Sequence, residues 1–184
     1  MSNIHLEPSE LIAAAENLQP LLRDKAREAE IARRPLDEVI DAIADSGIFA
    51  TLVPRSHGGH EADIDTFFEI SLIISRADAA MGWLVAFYME HCFWFCGFPE
   101  DFQKELFAER PYVLAPGSLS LADGSADPVD GGYRLSGVWQ WGTGIVHADW
   151  VMVGAMKTDE AGNLAPLFFA VPRDEVEAID TWYV

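Results

Sequence analysis

Basic side chains are scarce in this sequence: 12 lysines and arginines stand against 30 aspartates and glutamates, a formal net charge of −18 over 184 residues. Such a surface repels a phosphate backbone and an anionic lipid face alike, which excludes nucleic acid and membrane surfaces as partners. Cysteine is nearly absent. Cys92 and Cys96, four apart, suit neither a structural disulfide nor a four-ligand zinc site, and read as buried reduced thiols. Long apolar runs are missing too: the most apolar stretch, Met81–Phe98, is interrupted by Glu90, His91 and Gly97, and so reads as a buried helix and not a membrane span. Met1–Asn3 leads into an acidic helical pattern with no basic segment followed by an apolar one, so no secretory signal is expected and the cytoplasm is the expected compartment. Nor is there a GxGxxG after a strand, a Walker loop, an HExxH or a GxSxG, which removes support for nucleotide-fold, P-loop, zincin and α/β-hydrolase chemistry.

What is present is apolar and aromatic in quantity, 50% and 11% of residues, as a folded globular chain requires. The first part carries helical periodicity. Leu11, Ala14, Ala15, Leu18, Leu21 and Leu22 recur at helical spacing until Arg34-Pro35 breaks the pattern; Val39, Ile40, Ile43 and Ala44 form a second stripe ending at Gly47. "TLVPRSHGGHEAD" reads as a loop. Asp63 or Asp65 then caps a third helix, a fourth spans about Ala80 to Cys96, and "PEDFQKELFA" opens a short fifth at Pro99. Trp83 and "CFWF" are expected in the core.

After Arg110-Pro111 the pattern changes to short β-rich runs, "YVLAPGSLS", "GGYRLSGVWQW", "DWVMVGAMKT" and "LAPLFFAVP", parted by the turn-like "ADGSADPVDGG" and "DEAGN". The expectation is an α+β chain: an α-helical domain over 1–111, then a β domain over 112–184. The tail "AIDTWYV" is strand-like with no turn to close it, so the β domain is expected to be incomplete.

Chemistry concentrates in "GVWQWGTGIVHADW", residues 137–150, which holds three tryptophans and three glycines. Strand alternation would put Trp139, Trp141 and Thr143 on one face and Gln140, Gly142 and Gly144 on the other. Glycine lets a backbone approach a flat ligand and a tryptophan gives it a stacking face, so a large conjugated ring fits; ordinary core packing of Trp139 and Trp141 is the competing explanation. His57 and His60 flank Gly58-Gly59 without a carboxylate or cysteine fixed beside them in a regular element, so no metal site is expected there, and His147 reads as structural or as a support to neighbouring groups.

"GGYRLSGVWQWGTGIVHADWVMVGA" resembles the β-domain segment of the acyl-CoA dehydrogenase superfamily, in which a strand ends in an aromatic and then a Thr or Ser that line the flavin. "LVPRSHGGHEADIDTFFEISLIISRADAAMGW" and "EHCFWFCGFPEDFQKELFAERP" are similar to its helical domain, so the resemblance runs from about Glu28 to Val184. "APGSLSLADGSADPVDGGY" stands where typical acyl-CoA dehydrogenases carry a T-E-P-x-A-G-S-D loop. With "SGxWxWGTGxxHADW" and the histidine closing "GWLVAFYMEH", it is more similar to the oxygenase components of two-component aromatic hydroxylases. The resemblance implies an all-α domain followed by a β-barrel-like domain, reduced FMN or FAD delivered by a partner reductase, O2 as co-substrate, an aromatic small molecule as substrate, and a homotetramer.

It further implies that Thr143 hydrogen-bonds the flavin near N5 and O4, Trp141 packs beside the ring, Gly142 belongs to the same cofactor site, Ser118 faces flavin and substrate, and His91 meets the substrate phenol. Such proteins continue into a C-terminal helical bundle that is not present in these residues. Two alternatives remain at this level: an acyl-CoA dehydrogenase that desaturates an acyl-CoA with FAD, and a non-catalytic subunit.

Overall fold

The computed structural model describes residues 5–158 and 163–181. The chain divides into two compact units, Met1–Val113 and Leu114–Val184.

The first unit is helical: α1 (Pro8–Ala32), α2 (Asp37–Asp45), α3 (Ile64–Ala77), α4 (Ala79–Phe95) and α5 (Glu100–Leu106). Their ends follow local chemistry. Pro8 sits in the first turn of α1, where its missing N–H costs nothing, and the Glu10 carboxylate accepts the Glu7 N–H at 2.8 Å. At its far end α1 stops one residue before a left-handed Arg33. Asp63 caps α3, its carboxylate accepting the Thr66 N–H at 2.8 Å and the Thr66 hydroxyl at 2.6 Å; Asp78 does the same for α4 through the Ala80 and Met81 N–H groups. The core joins Leu11, Ala15 and Leu22 of α1 to Ile70 and Ile74 of α3 and to Val85, Tyr88 and Met89 of α4. Phe49, wholly buried, meets the Tyr88 ring edge-on at 5.5 Å. Helices α3 and α4 approach so closely that a Cβ on Gly82 would lie 2.0 Å from the Ser75 hydroxyl oxygen.

The apolar sequence of α4 misleads about its surroundings. Trp83, Phe93 and Trp94, expected in the core, are 60%, 57% and 38% exposed. A helix apolar on every face can bury only the side its neighbours cover, and here that side carries Met81, Leu84, Val85, Tyr88, Met89, Cys92 and Phe95. Cys92 is buried as expected, but Cys96 is only half-buried.

The second unit is built on β4 (Trp150–Thr158), whose Val151–Ala155 are all buried. Strands β1 (Gly117–Ser118) and β2 (Gly124–Val129) lie parallel to β4 along one side, β5 (Leu164–Pro172) runs antiparallel along the other, and β3 (Gly132–Gly137) pairs antiparallel with β2. The sheet curls enough for the Tyr133 ring of β3 to meet the Phe169 ring of β5 at 5.4 Å. Among the described residues, no hydrogen-bonded pairing closes it between β3 and β5.

Three local expectations change. "ADGSADPVDGG" is not one turn: Gly124–Val129 is β2, and the reversal is confined to Asp130 and a left-handed Gly131, between partners Val129 and Gly132. Residues 178–181 are not a strand. "GVWQWGTG" is not a strand either, because β3 stops at Gly137. The rest of the tail, Trp182–Val184, and residues 159–162 of the "DEAGN" turn lie outside the described residues. No helix among the described residues is long and apolar enough to cross a membrane.

Candidate functional site

Beyond Gly137 the chain leaves the sheet, and Trp139 and Trp141 part company. Trp139 turns inward. Its indole N–H donates to the Gly154 carbonyl of β4 at 2.8 Å, and its ring covers Gly124 and Gly137, which are cross-strand partners. Trp141 turns outward, 72% exposed on a left-handed backbone (φ 66°). The strand alternation expected to place Trp139, Trp141 and Thr143 on one face therefore does not hold: one reversed φ ends the two-residue period.

Trp141, Gly142 and Thr143 instead share one tight turn. The Thr143 N–H donates to the Trp141 carbonyl at 2.8 Å and the Ile145 N–H to the Gly142 carbonyl at 3.0 Å. A short 3-10 turn over Ile145–His147 follows. The far end is pinned: Arg173 Nε donates to the Ile145 carbonyl at 3.0 Å, while Asp149 accepts the Leu114 N–H on its carboxylate at 2.9 Å and donates its own N–H to the Leu114 carbonyl at 2.7 Å. Ser118 arrives by another route, on β1, paired with Val153, one residue from the Gly154 that anchors Trp139. Gly154 itself is crowded, since a Cβ there would lie 2.9 Å from the Leu119 carbonyl oxygen. Val153 and Gly154 of β4 thus take the Ser118 strand and the Trp139 indole at adjacent residues.

The side chains suit a flat ring with polar edges. Trp141 offers a broad aromatic face, and Gly142 beside it has only Ile145 within van der Waals range of where a side chain would begin. Thr143 and Ser118 are half-exposed. Among the described residues neither hydroxyl hydrogen-bonds another group of the chain, so both can serve a ligand. These residues fit a flavin by their donor set, with no charged group required at the ring.

His91 lies in the helical unit, 4% exposed on α4, with its ring edge-on to Phe87 at 5.2 Å; Phe87 in turn tilts against Trp83 at 4.8 Å. The other histidines of that unit serve structure. His60 is buried, accepts the Leu6 N–H on Nδ1 at 3.1 Å and donates from Nε2 to the Gly47 carbonyl at 3.1 Å. Burial holds its pKa below the ordinary imidazole value, the nearby His5 and Arg55 charges act in the same direction, and the Gly47 carbonyl opposes them in part. His5 reaches the Gly59 carbonyl at 2.7 Å. His57 bonds the Gln103 side-chain oxygen at 2.9 Å, an acceptor fixed as such because the Gln103 amide N–H groups go to the Cys96 and Phe98 carbonyls. The described residues contain no group of three or more His, Cys, Asp or Glu able to hold a metal ion. Burial pushes the Cys96 thiol up to about 11, away from nucleophilic use.

Sequence reasoning missed the division of labour between the two tryptophans, and missed Arg173 as the pin of the loop. A signal was present. Gly124, Gly137 and Gly154 are glycines in strands, where the residue is disfavoured unless something lies close against the backbone.

No protein-family model matches the chain. Among individual proteins it is similar to the pigment production hydroxylase of a Rhodococcus species (strain ATCC 21145), 38% identical across 96% of this chain and 45% of that protein. It is also similar to the oxygenase component of the FADH2-dependent resorcinol hydroxylase of a Rhizobium species, 33% identical across 95% of this chain and 42% of that one. The crystal structure of the HsaA monooxygenase from Mycobacterium tuberculosis superposes with a TM-score of 0.91 at 33% identity, across 97% of this chain and 49% of that one. The chain spans about half the length of the relatives it matches.

Proposed function

We propose that the chain works in flavin-dependent hydroxylation of an aromatic small molecule, with reduced FMN or FAD received from a separate reductase and O2 as co-substrate. The observation that carries this is the outward Trp141 turn, which presents an indole face, an open-sided glycine and an uncommitted Thr143 hydroxyl together. The three relatives are named hydroxylases or monooxygenases, one of them for FADH2-dependent hydroxylation of resorcinol, and none is named a desaturase. Both points favour hydroxylation over desaturation of an acyl-CoA.

Bound reduced flavin supplies the two electrons with which O2 is split between the new phenolic hydroxyl and water. The chain's own residues bind and orient. Trp141 packs on the ring, Gly142 lets the backbone come close, and Thr143 hydrogen-bonds the polar edge near N5 and O4. Ser118, from β1, faces both flavin and substrate. His91, on its apolar helix, holds the phenolic oxygen of the substrate and exchanges a proton with it. Membership of the acyl-CoA dehydrogenase superfamily, a homotetramer and a cytoplasmic location belong to the same proposal.

The test is anaerobic titration of the purified chain with reduced FMN and reduced FAD, followed by mixing with oxygenated buffer. Saturable binding of one of them, with flavin oxidation slower than that of the free cofactor, is the expected result. Oxidation at the free-flavin rate, with no binding in either redox state, would show that this chain does not itself hold flavin.

A further inference from the structure

We infer that Trp139 is a positioning residue: its indole clamps the loop leaving β3 and so sets the left-handed turn from which Trp141, Gly142 and Thr143 project. Its effect on a ligand rests on the flavin proposal above; its effect on the loop does not.

The left-handed region is one that residues other than glycine, asparagine and aspartate seldom adopt, and such a conformation persists where the surroundings over-determine it. Trp141 takes it while 72% exposed, and the chain is tied on both sides of it. Contacts on either side constrain the turn. On the far side, Arg173 and Asp149 pin residues 145–149. On the near side stands Trp139, two residues before the turn.

The seat of Trp139 is built for it. Gly124 and Gly137 face each other across the β2–β3 pair, and the indole lies on both: a Cβ on Gly124 would come 2.1 Å from the ring, and one on Gly137 would come 2.9 Å from it. A large ring over a cross-strand glycine pair restores the packing that the glycines forgo and fixes where the ring sits. The indole N–H then finds the Gly154 carbonyl at 2.8 Å, which fixes its rotation as well. The Val138 N–H, one residue earlier, donates to the Asp123 carbonyl at 3.1 Å, so the backbone entering the clamp is held too. With both ends tied, the residues between them have only a short path, and the reversal at Trp141 is where it turns.

Two variants test this. Trp139→Phe keeps a ring on the glycine pair and removes the N–H; Gly124→Ala places a methyl where the ring lies. Amide hydrogen exchange is followed without flavin, and the dissociation constant for reduced flavin is measured separately. In both variants the Thr143 and Ile145 amides are expected to exchange about tenfold faster, the worth of one ordinary hydrogen bond, while amides of β4 and of the helical unit keep their rates. Reduced flavin is expected to bind about tenfold more weakly in both. Unchanged exchange at Thr143 and Ile145 overturns the proposal, as does acceleration spread evenly over the whole sheet, which would mark Trp139 as general packing. If the wild-type chain binds no flavin, the proposed function fails, and the exchange result still decides the clamp.

Discussion

His60 in the helical unit and Trp141 in the β unit are both residues that sequence reading would consider for chemistry, and the structure uses them in opposite ways. Both polar atoms of His60 are spent on backbone, one on Leu6 and one on Gly47, and its ring is buried. Trp141 is 72% exposed on a seldom-adopted backbone, beside a Thr143 hydroxyl that hydrogen-bonds no other group among the described residues. Residue type does not separate a structural group from a functional one. What separates them here is exposure: the fold encloses one ring and leaves the other largely at the surface.

The contrast can be broken at either region. The largest effect belongs to the helical interior: Phe49→Ala removes a wholly buried ring that touches Tyr88 and Tyr112, and is expected to cost about 3–5 kcal/mol in urea unfolding. A loss below about 1 kcal/mol would mean that the core around Phe49 collapses to fill the space. Trp141→Ala, an equally drastic truncation by size, is expected to shift stability by less than about 0.5 kcal/mol. The same change should weaken reduced-flavin binding about tenfold, the value of one aromatic stacking contact. Affinity unchanged with stability lost would reverse the assignment of the two regions.

Smaller effects sharpen the comparison. The folded-state pKa of His60 lies below its unfolded value, so its contribution to stability is present above about pH 6.5 and is lost as pH falls through the lowered folded pKa. Protonating Nδ1 also ends its acceptance of the Leu6 N–H. Melting temperature should therefore decline more steeply below pH 6.5 in the wild type than in His60→Gln; identical slopes would show that another group governs the acid limb. The smallest effect is at Cys96, whose thiol, pushed up to about 11, should react with iodoacetamide at pH 7.5 far more slowly than glutathione does.

Much of the helical unit was legible in advance. Apolar spacing marked α1 to α3, an apolar run marked α4, Arg34-Pro35 marked a break, and Asp63 does cap α3, because these are local effects of backbone geometry and hydrogen bonding. Which face of α4 is covered was not legible. When every face is apolar, periodicity holds no direction, and only the placement of α3 and of the Ile48–Ala50 turn against α4 leaves Trp83, Phe93 and Trp94 outside.

The candidate site divides in the same way. The sequence by itself determined that tryptophan and glycine concentrate over 137–150 beside a threonine, in what reads as a strand, and that this composition suits a flat conjugated ring. Tertiary structure alone decided that Trp139 turns in and Trp141 turns out. That choice depends on partners distant in sequence: the Gly124 surface, the Gly154 carbonyl and the Arg173 guanidinium. A rule of alternation assumes an unbroken strand, and one left-handed residue, held by contacts from three other segments, sets it aside.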